Sequence, residues 1–191
     1  NMQYRVTVPV ATEPVSLAEA RLQCKIDSDD TSHDAALESL ITTAREYAQH
    51  YTGRALAPQT LEVALDAFPN WENPSITLPL CPVTSITSIK YTDTAGAEQT
   101  LSNTKYALSP YGESRMLAPT YGNYWPTTQD IMNSVRIVQV CGYTTCPKAA
   151  KQAMLVHIEL ESPLNPHTPA EREALEKARD SLLNTIKVYG R

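Results

Sequence analysis

The carboxylates best spaced to hold a cation are Asp27, Asp29 and Glu38, at positions one, three and twelve of a calcium-loop pattern, with Asp30 between them. The match ends there. Ser32 stands where the sharp turn wants glycine and His33 follows it. A capping box, Thr31 with Asp34, accounts for the same residues as the start of a helix. Cys141 and Cys146 are separated by four residues, a spacing that supplies half a zinc site if two more ligands converge on it. The other cysteines, Cys24 and Cys81, are distant, and Cys141 sits in an apolar run, so a buried thiol beside a loop thiol is the simpler reading. His33, His50, His157 and His167 lie in four separate settings, none within a nucleophile motif. His157 has Met154 and Ile158 on its helical face, which favours a hydrogen-bonded core or interface imidazole over a functional one. With six glycines and no glycine-rich phosphate loop, the sequence predicts no catalytic residue, no cofactor and no metal.

What remains are residues suited to contact. Tyr111, Tyr121, Tyr124 and Trp125 gather in one stretch, and such aromatics serve equally as a ring or partner interface, a sugar platform, or the plug of a small β module. The formal net charge is -5, and no cluster of Lys and Arg occurs, so tight binding to a phosphate backbone is not expected. No apolar run approaches the roughly 18 residues of a membrane helix. The opening Met2-Gln3-Tyr4-Arg5 lacks a signal-peptide core, and Asn1 reads as a remnant of tag cleavage; a soluble protein made in the cytoplasm is the expectation.

The elements that must position these residues follow from periodicity. Ser16 and Glu19 form a capping box ahead of Ala18, Leu22 and Ile26, which predicts a short helix. Leu37, Leu40, Ile41, Ala44, Tyr47, Ala48 and Tyr51 keep helical spacing up to Gly53, and Pro58 closes the zone. From Gln59 to Tyr143 the period becomes two. Leu61, Val63 and Leu65 alternate with polar residues, the segments 76–80, 83–91 and 135–140 are β-branched, and Asp93 to Gly96 reads as a hairpin turn. The stretch from Pro110 to Asp130 reads as long loops with short strands. Helical pattern returns at Pro147, with Ala150, Ala153, Met154, His157 and Ile158 on one face and Leu155, Val156 and Leu160 on the other. Pro163 and Pro166 break it. Thr168, Pro169 and Glu171 then start a last helix, carrying Leu175, Ala178, Leu182, Ile186 and Tyr189 to the end of the chain.

Helix, strands, helix in that order predicts an α+β fold: a helical bundle from the N- and C-terminal zones, with an inserted antiparallel β-rich module, a small sandwich or barrel. The expected division is 1–57 and 146–191 helical, packed together, with 58–145 as the β module.

Several segments carry a likeness in their order: Pro14 to Ala20; Ala44-Arg45-Glu46-Tyr47-Ala48 leading to Tyr51 through Leu56; Gln59 to Glu62; Leu65 to Pro69; and Pro82 to Tyr91. Gly96, Gln99 to Leu101, Trp125-Pro126, Val135 to Ile137 and Gly142-Tyr143 complete it. Together they resemble the phage head-tail connector (adaptor) family in its long form with a β insertion. The proline-rich break after Glu161 departs from the family pattern. The resemblance implies a structural, non-enzymatic virion protein: a ring of twelve copies beneath the portal protein, in the neck between head and tail. Its partners would be the portal, a tail-side connector or stopper, and itself, with DNA crossing the lumen unbound. Portal docking is expected on the apolar stripe Leu182, Leu183, Ile186, Val188 and Tyr189. The alternatives are another tail-joining protein of terminator type, or a carbohydrate-binding or hydrolytic β module.

Overall fold

The computed structural model describes residues 2–110 and 115–188. The chain divides into two compact units, one of residues Asn1–Val10 with Pro58–Gly142 and one of Ala11–Ala57 with Tyr143–Arg191. Among the described residues the architecture is α+β, four helices with two antiparallel sheets.

In the β unit, strands β1 (Met2–Val8), β2 (Gln59–Leu65), β4 (Val83–Thr92), β5 (Glu98–Thr100) and β8 (Val135–Cys141) form a five-stranded sheet in the order β1-β2-β8-β4-β5. A three-stranded sheet joins β3 (Ile76–Thr77), β7 (Met116–Pro119) and β6 (Tyr106–Leu108) in that order. The alternation along β2 and β8 has its expected effect: Leu61, Val63, Val135 and Ile137 are buried, while the residues between them are more open. Each fully buried aliphatic side chain contributes about 1.5–3 kcal/mol. The Asp93 to Gly96 turn forms with Gly96 at a φ of 86°, and the Asp93 carboxylate accepts the backbone N–H groups of Ala95 and Ala97, each at 2.9 Å. Trp125 stacks on Phe68 with centroids 4.8 Å apart, and its indole N–H donates to the Pro74 carbonyl at 2.6 Å.

Strand β1 is not anticipated by the sequence reading, which assigned all of 1–57 to a helical part. Residues Met2 to Val8 instead pair with β2 and belong to the β unit. The signal was present in Met2, Tyr4, Val6 and Val8 alternating with Gln3, Arg5 and Thr7.

In the helical unit, α1 (Leu17–Gln23), α2 (Asp34–Thr52), α3 (Lys148–Glu161) and α4 (Pro169–Asn184) enclose one core of Ile41, Ala44, Ala48, Met154, Ile158 and Leu183 among others. Both capping boxes at Ser16/Glu19 and Thr168/Glu171 form in both directions. Gly53 ends α2 in the left-handed region at a φ of 71°, its N–H returned to the Gln49 carbonyl.

Three local expectations need correction. The Thr31/Asp34 box does not form: α2 begins at Asp34 behind His33, which makes no side-chain cap. Asp34 is held instead by the Arg21 guanidinium at 2.6 and 2.9 Å, a charge-assisted bond that outcompetes a hydroxyl. The face of α1 toward the core is Leu17, Ala20 and Cys24; of the expected Ala18, Leu22 and Ile26, Ile26 packs against the core from just past the helix, whereas Ala18 is exposed and Leu22 is 80% exposed. A seven-residue helix is too short for periodicity to fix its phase. Finally, α4 stops at Asn184 and does not run through Tyr189, which lies outside the described residues.

Candidate functional site

The candidate chemistry resolves into structural roles. Asp30 accepts the Ser32 backbone N–H at 2.9 Å and its hydroxyl at 2.5 Å, and these bonds lower its pKa. With Asp34 engaged by Arg21, the loop's carboxylates serve its turn. Burial pushes the Cys141 thiol up to about 12 and the Cys146 thiol up to about 11, so both stay protonated and neither is primed as a ligand or nucleophile. Among the described residues, no group of three His, Cys, Asp or Glu side chains is placed to hold a metal ion.

His157 enters a polar knot joining three helices. Its ring stacks on Tyr47 of α2, centroids 4.6 Å apart at 14°. The Arg179 guanidinium of α4 lies 4.3 Å over the same tyrosine ring, and its Nη1 is 3.2 Å from His157 Nδ1. A guanidinium can only donate, so Nδ1 must accept and the imidazole in this contact is neutral. Burial, then the Arg179 charge, holds the His157 pKa below its usual value. Asp180 closes the knot, accepting from Arg179 Nε at 2.9 Å and from the Tyr47 hydroxyl at 3.3 Å. One turn on, the Tyr51 hydroxyl donates to Asn184 Oδ1 at 3.1 Å, and Lys187 sits 4.5 Å over the Tyr51 ring. The stacked imidazole, the guanidinium over the ring and the shared carboxylate are arranged for adhesion between helices.

The same geometry relocates the expected docking stripe. Leu183 is fully buried, Leu182 and Ile186 pack against the core, and the Val188 N–H donates to the Thr52 carbonyl at 3.0 Å. Arg54 donates from Nε to the Ile186 carbonyl. Four of the five stripe residues thus fasten the end of the chain to its own helical unit; the fifth, Tyr189, is outside the described residues. Helical spacing marks an apolar face but not what covers it.

The aromatic set separates as well. Trp125 is taken up by Phe68 and Pro74, whereas Tyr121 is 105% and Tyr124 76% exposed. Tyr111 is outside the described residues. Missed by sequence reasoning were Arg179 and Asp180, whose ordinary helical charges give no local sign of burial, and the exposed apolar side of β1.

A surface with exposed aromatics and aliphatics, and chemistry spent on internal adhesion, is the equipment of an assembly protein. The model of the phage gp6-like head-tail connector protein family matches residues 14–109, half of the chain. The chain belongs to that family. Membership makes this head-tail connector protein a structural component of a phage-type virion. A comparison with curated protein sequences finds no match. Among solved structures, the connector is similar to a chain in the neck of an empty gene transfer agent (GTA) particle computed with C6 symmetry, with a TM-score of 0.79 and 20% identity over 99% of this chain and 97% of that one. It is similar to a chain in the virion of a native GTA particle, with a TM-score of 0.75 and 22% identity over the same shares. A chain in the neck of a native GTA particle computed with C12 symmetry gives a TM-score of 0.67 at 20% identity, also over 99% and 97%. These likenesses span the connector's α+β fold from end to end.

Proposed function

We propose that this connector is one subunit of a closed ring in the virion neck, seated beneath the portal, joining it to a tail-side connector or stopper, with DNA passing through the lumen. The observation that carries the reading is membership of the head-tail connector family. Its fold-mates in necks computed with C6 and C12 symmetry support a cyclic arrangement, and twelve copies is the number we propose. A cyclic ring repeats one heterologous contact by rotation, so each subunit needs two different faces and no pocket. The net charge of -5 without a basic cluster supports a channel wall along which DNA slides without adhering.

The portal contact is proposed for the α4 end of the chain, on the sides that the core leaves free. Removing everything after Thr168 is a poor test, because it also removes Leu183 from the core. The decisive experiment is a producing strain lacking this chain, with particles imaged by electron microscopy and their DNA content measured. The expected product is heads that fill but neither retain DNA nor carry tails. Full, tailed particles made without the chain would refute the proposal.

A further inference from the structure

At the end of the five-stranded sheet where β2 and β4 leave it and β8 enters, Leu65, Val135 and Tyr91 stand side by side. Three segments run on past that row and are laced to one another. The Asp66 carboxylate accepts the Asn133 backbone N–H at 3.1 Å, and the Thr92 carbonyl accepts the Gln129 N–H at 3.0 Å. The stack of Trp125 on Phe68 and its bond to Pro74 tie the segment before β8 to the one after β2. What these braced loops hold outward is apolar: Trp71 is 77%, Tyr124 76%, Met132 78% and Ile131 44% exposed. Trp71 shares with Glu72 the crown of a turn closed by the Asn73 N–H on Asn70 Oδ1 at 3.2 Å. Tyr124 directly precedes the anchored Trp125, and Ile131 and Met132 directly precede the anchored Asn133. Large side chains displayed on braced loops lose little freedom when covered, which suits them to binding. A folded protein rarely gathers that much apolar surface without a partner.

Charge identifies the kind of partner. Residues 66–75 and 120–134 hold three carboxylates, Asp66, Glu72 and Asp130, and no lysine or arginine. Asp66 is taken up by Asn133, whereas Glu72 and Asp130 are exposed and make no ion pair among the described residues. The cations next along the sheet, Lys90 and Arg136, are both held by Glu98. Such a surface repels a phosphate backbone. A second copy offers it little, since the sequence has no cluster of Lys and Arg, and Arg5 on the edge strand already pairs with Glu62. The surface is complementary to a protein that sets Lys or Arg beside apolar side chains, where each cation gains both a carboxylate and the face of an aromatic ring.

We infer that this acidic, aromatic tip of the β unit docks a basic surface on a different protein of the particle, with Trp71 and Tyr124 as its anchors and Glu72 and Asp130 as its counter-charges. The inference uses only the chain's place in a virion and stands apart from the ring. The test uses particles from a producing strain that supplies the full chain with Tyr124 exchanged for photoreactive benzoylphenylalanine. Purified particles are irradiated and the cross-linked peptides sequenced. The expected product joins the chain to a different virion protein, in a peptide carrying Lys or Arg. A cross-link to another copy of the chain, a cross-link to DNA, or no cross-link overturns the assignment, while electron microscopy of the same particles reports on the ring independently. Adding Glu72→Lys and Asp130→Lys to that chain is expected to cut the yield at least about tenfold, because like charges then meet, and to leave the urea midpoint of the purified protein unchanged. An undiminished yield refutes the choice of a basic partner. Should the reversed chain stay out of particles, the opposite reversal, Lys or Arg to Glu, at the mapped position of the partner is expected to bring it back, and no return refutes the contact.

Discussion

The helical unit and the β unit handle apolar and charged groups in opposite ways. In the helical unit, charge is folded inward: Arg179, 9% exposed, is laid over Tyr47 and against His157, and Leu183 is sealed in the core. In the β unit, apolar groups are left outside, on β1 and at Tyr121 and Tyr124. The first unit turns most of its large apolar side chains into its own core, Leu22 of α1 being an exception, while the second carries the larger share of exposed apolar surface, which another molecule would cover.

The contrast is sharpest for two side-chain truncations. Leu183→Ala is expected to cost about 2–5 kcal/mol, since it opens a cavity at a fully buried position. Tyr4→Ala should stay within roughly 0.5 kcal/mol in the isolated chain, as a half-exposed surface site. Urea unfolding measures both, and similar costs would erase the distinction. Arg179→Ala comes next, at about 1–3 kcal/mol, because it strips the cation from the Tyr47 ring and leaves His157 Nδ1 without its donor. A loss confined to α4 in hydrogen exchange would show that the knot fastens that helix.

The knot also predicts a pH dependence. The folded state holds His157 neutral, its pKa below the ordinary 6.5 because of burial and then the Arg179 charge. The unfolded chain therefore binds the proton first. Stability from this site is complete above pH 6.5 and is lost as pH falls toward the depressed folded value. The groups facing the ring are Tyr47 from α2, Glu161 on its own helix, and Arg172, Arg179 and Asp180 from α4. His157→Phe keeps the stacking and removes the titration, so its urea midpoint should change less between pH 7 and pH 5.5 than that of the parent chain. The smallest effect is expected at Glu19, whose pKa is lowered to about 2, chiefly by its bond to Lys151 and then by the Ser16 backbone. Its contribution is present above pH 4.5 and fades as pH falls toward 2. Because the pair is partly solvated, Lys151→Ala should cost no more than about 0.5 kcal/mol while raising the Glu19 pKa measurably by NMR.

Much of the plan was legible in the residues. Long periodic runs such as Leu37 to Tyr51 specify a helix because one face must leave water along the whole segment, and Gly53 and the Thr168/Glu171 box mark ends by backbone chemistry that acts locally. The change to period two at Gln59 did the same for the sheet. Short elements escaped: seven residues of α1 could not set their own buried face, and the single alternating run Met2 to Val8 could not announce a partner strand beginning at Gln59.

Sequence alone also determined that no phosphate loop or basic cluster is present, because those features are local in the chain. What covers an apolar face is not local. Leu183 and Val6 belong to similar amphipathic patterns, yet one is sealed by its own unit and the other stands open, and the difference is set by which distant segments pack there. The burial of Arg179 against His157 and Tyr47, on three separate helices, was decided in the same way, since the field at a side chain is made by neighbours that only the folded chain assembles.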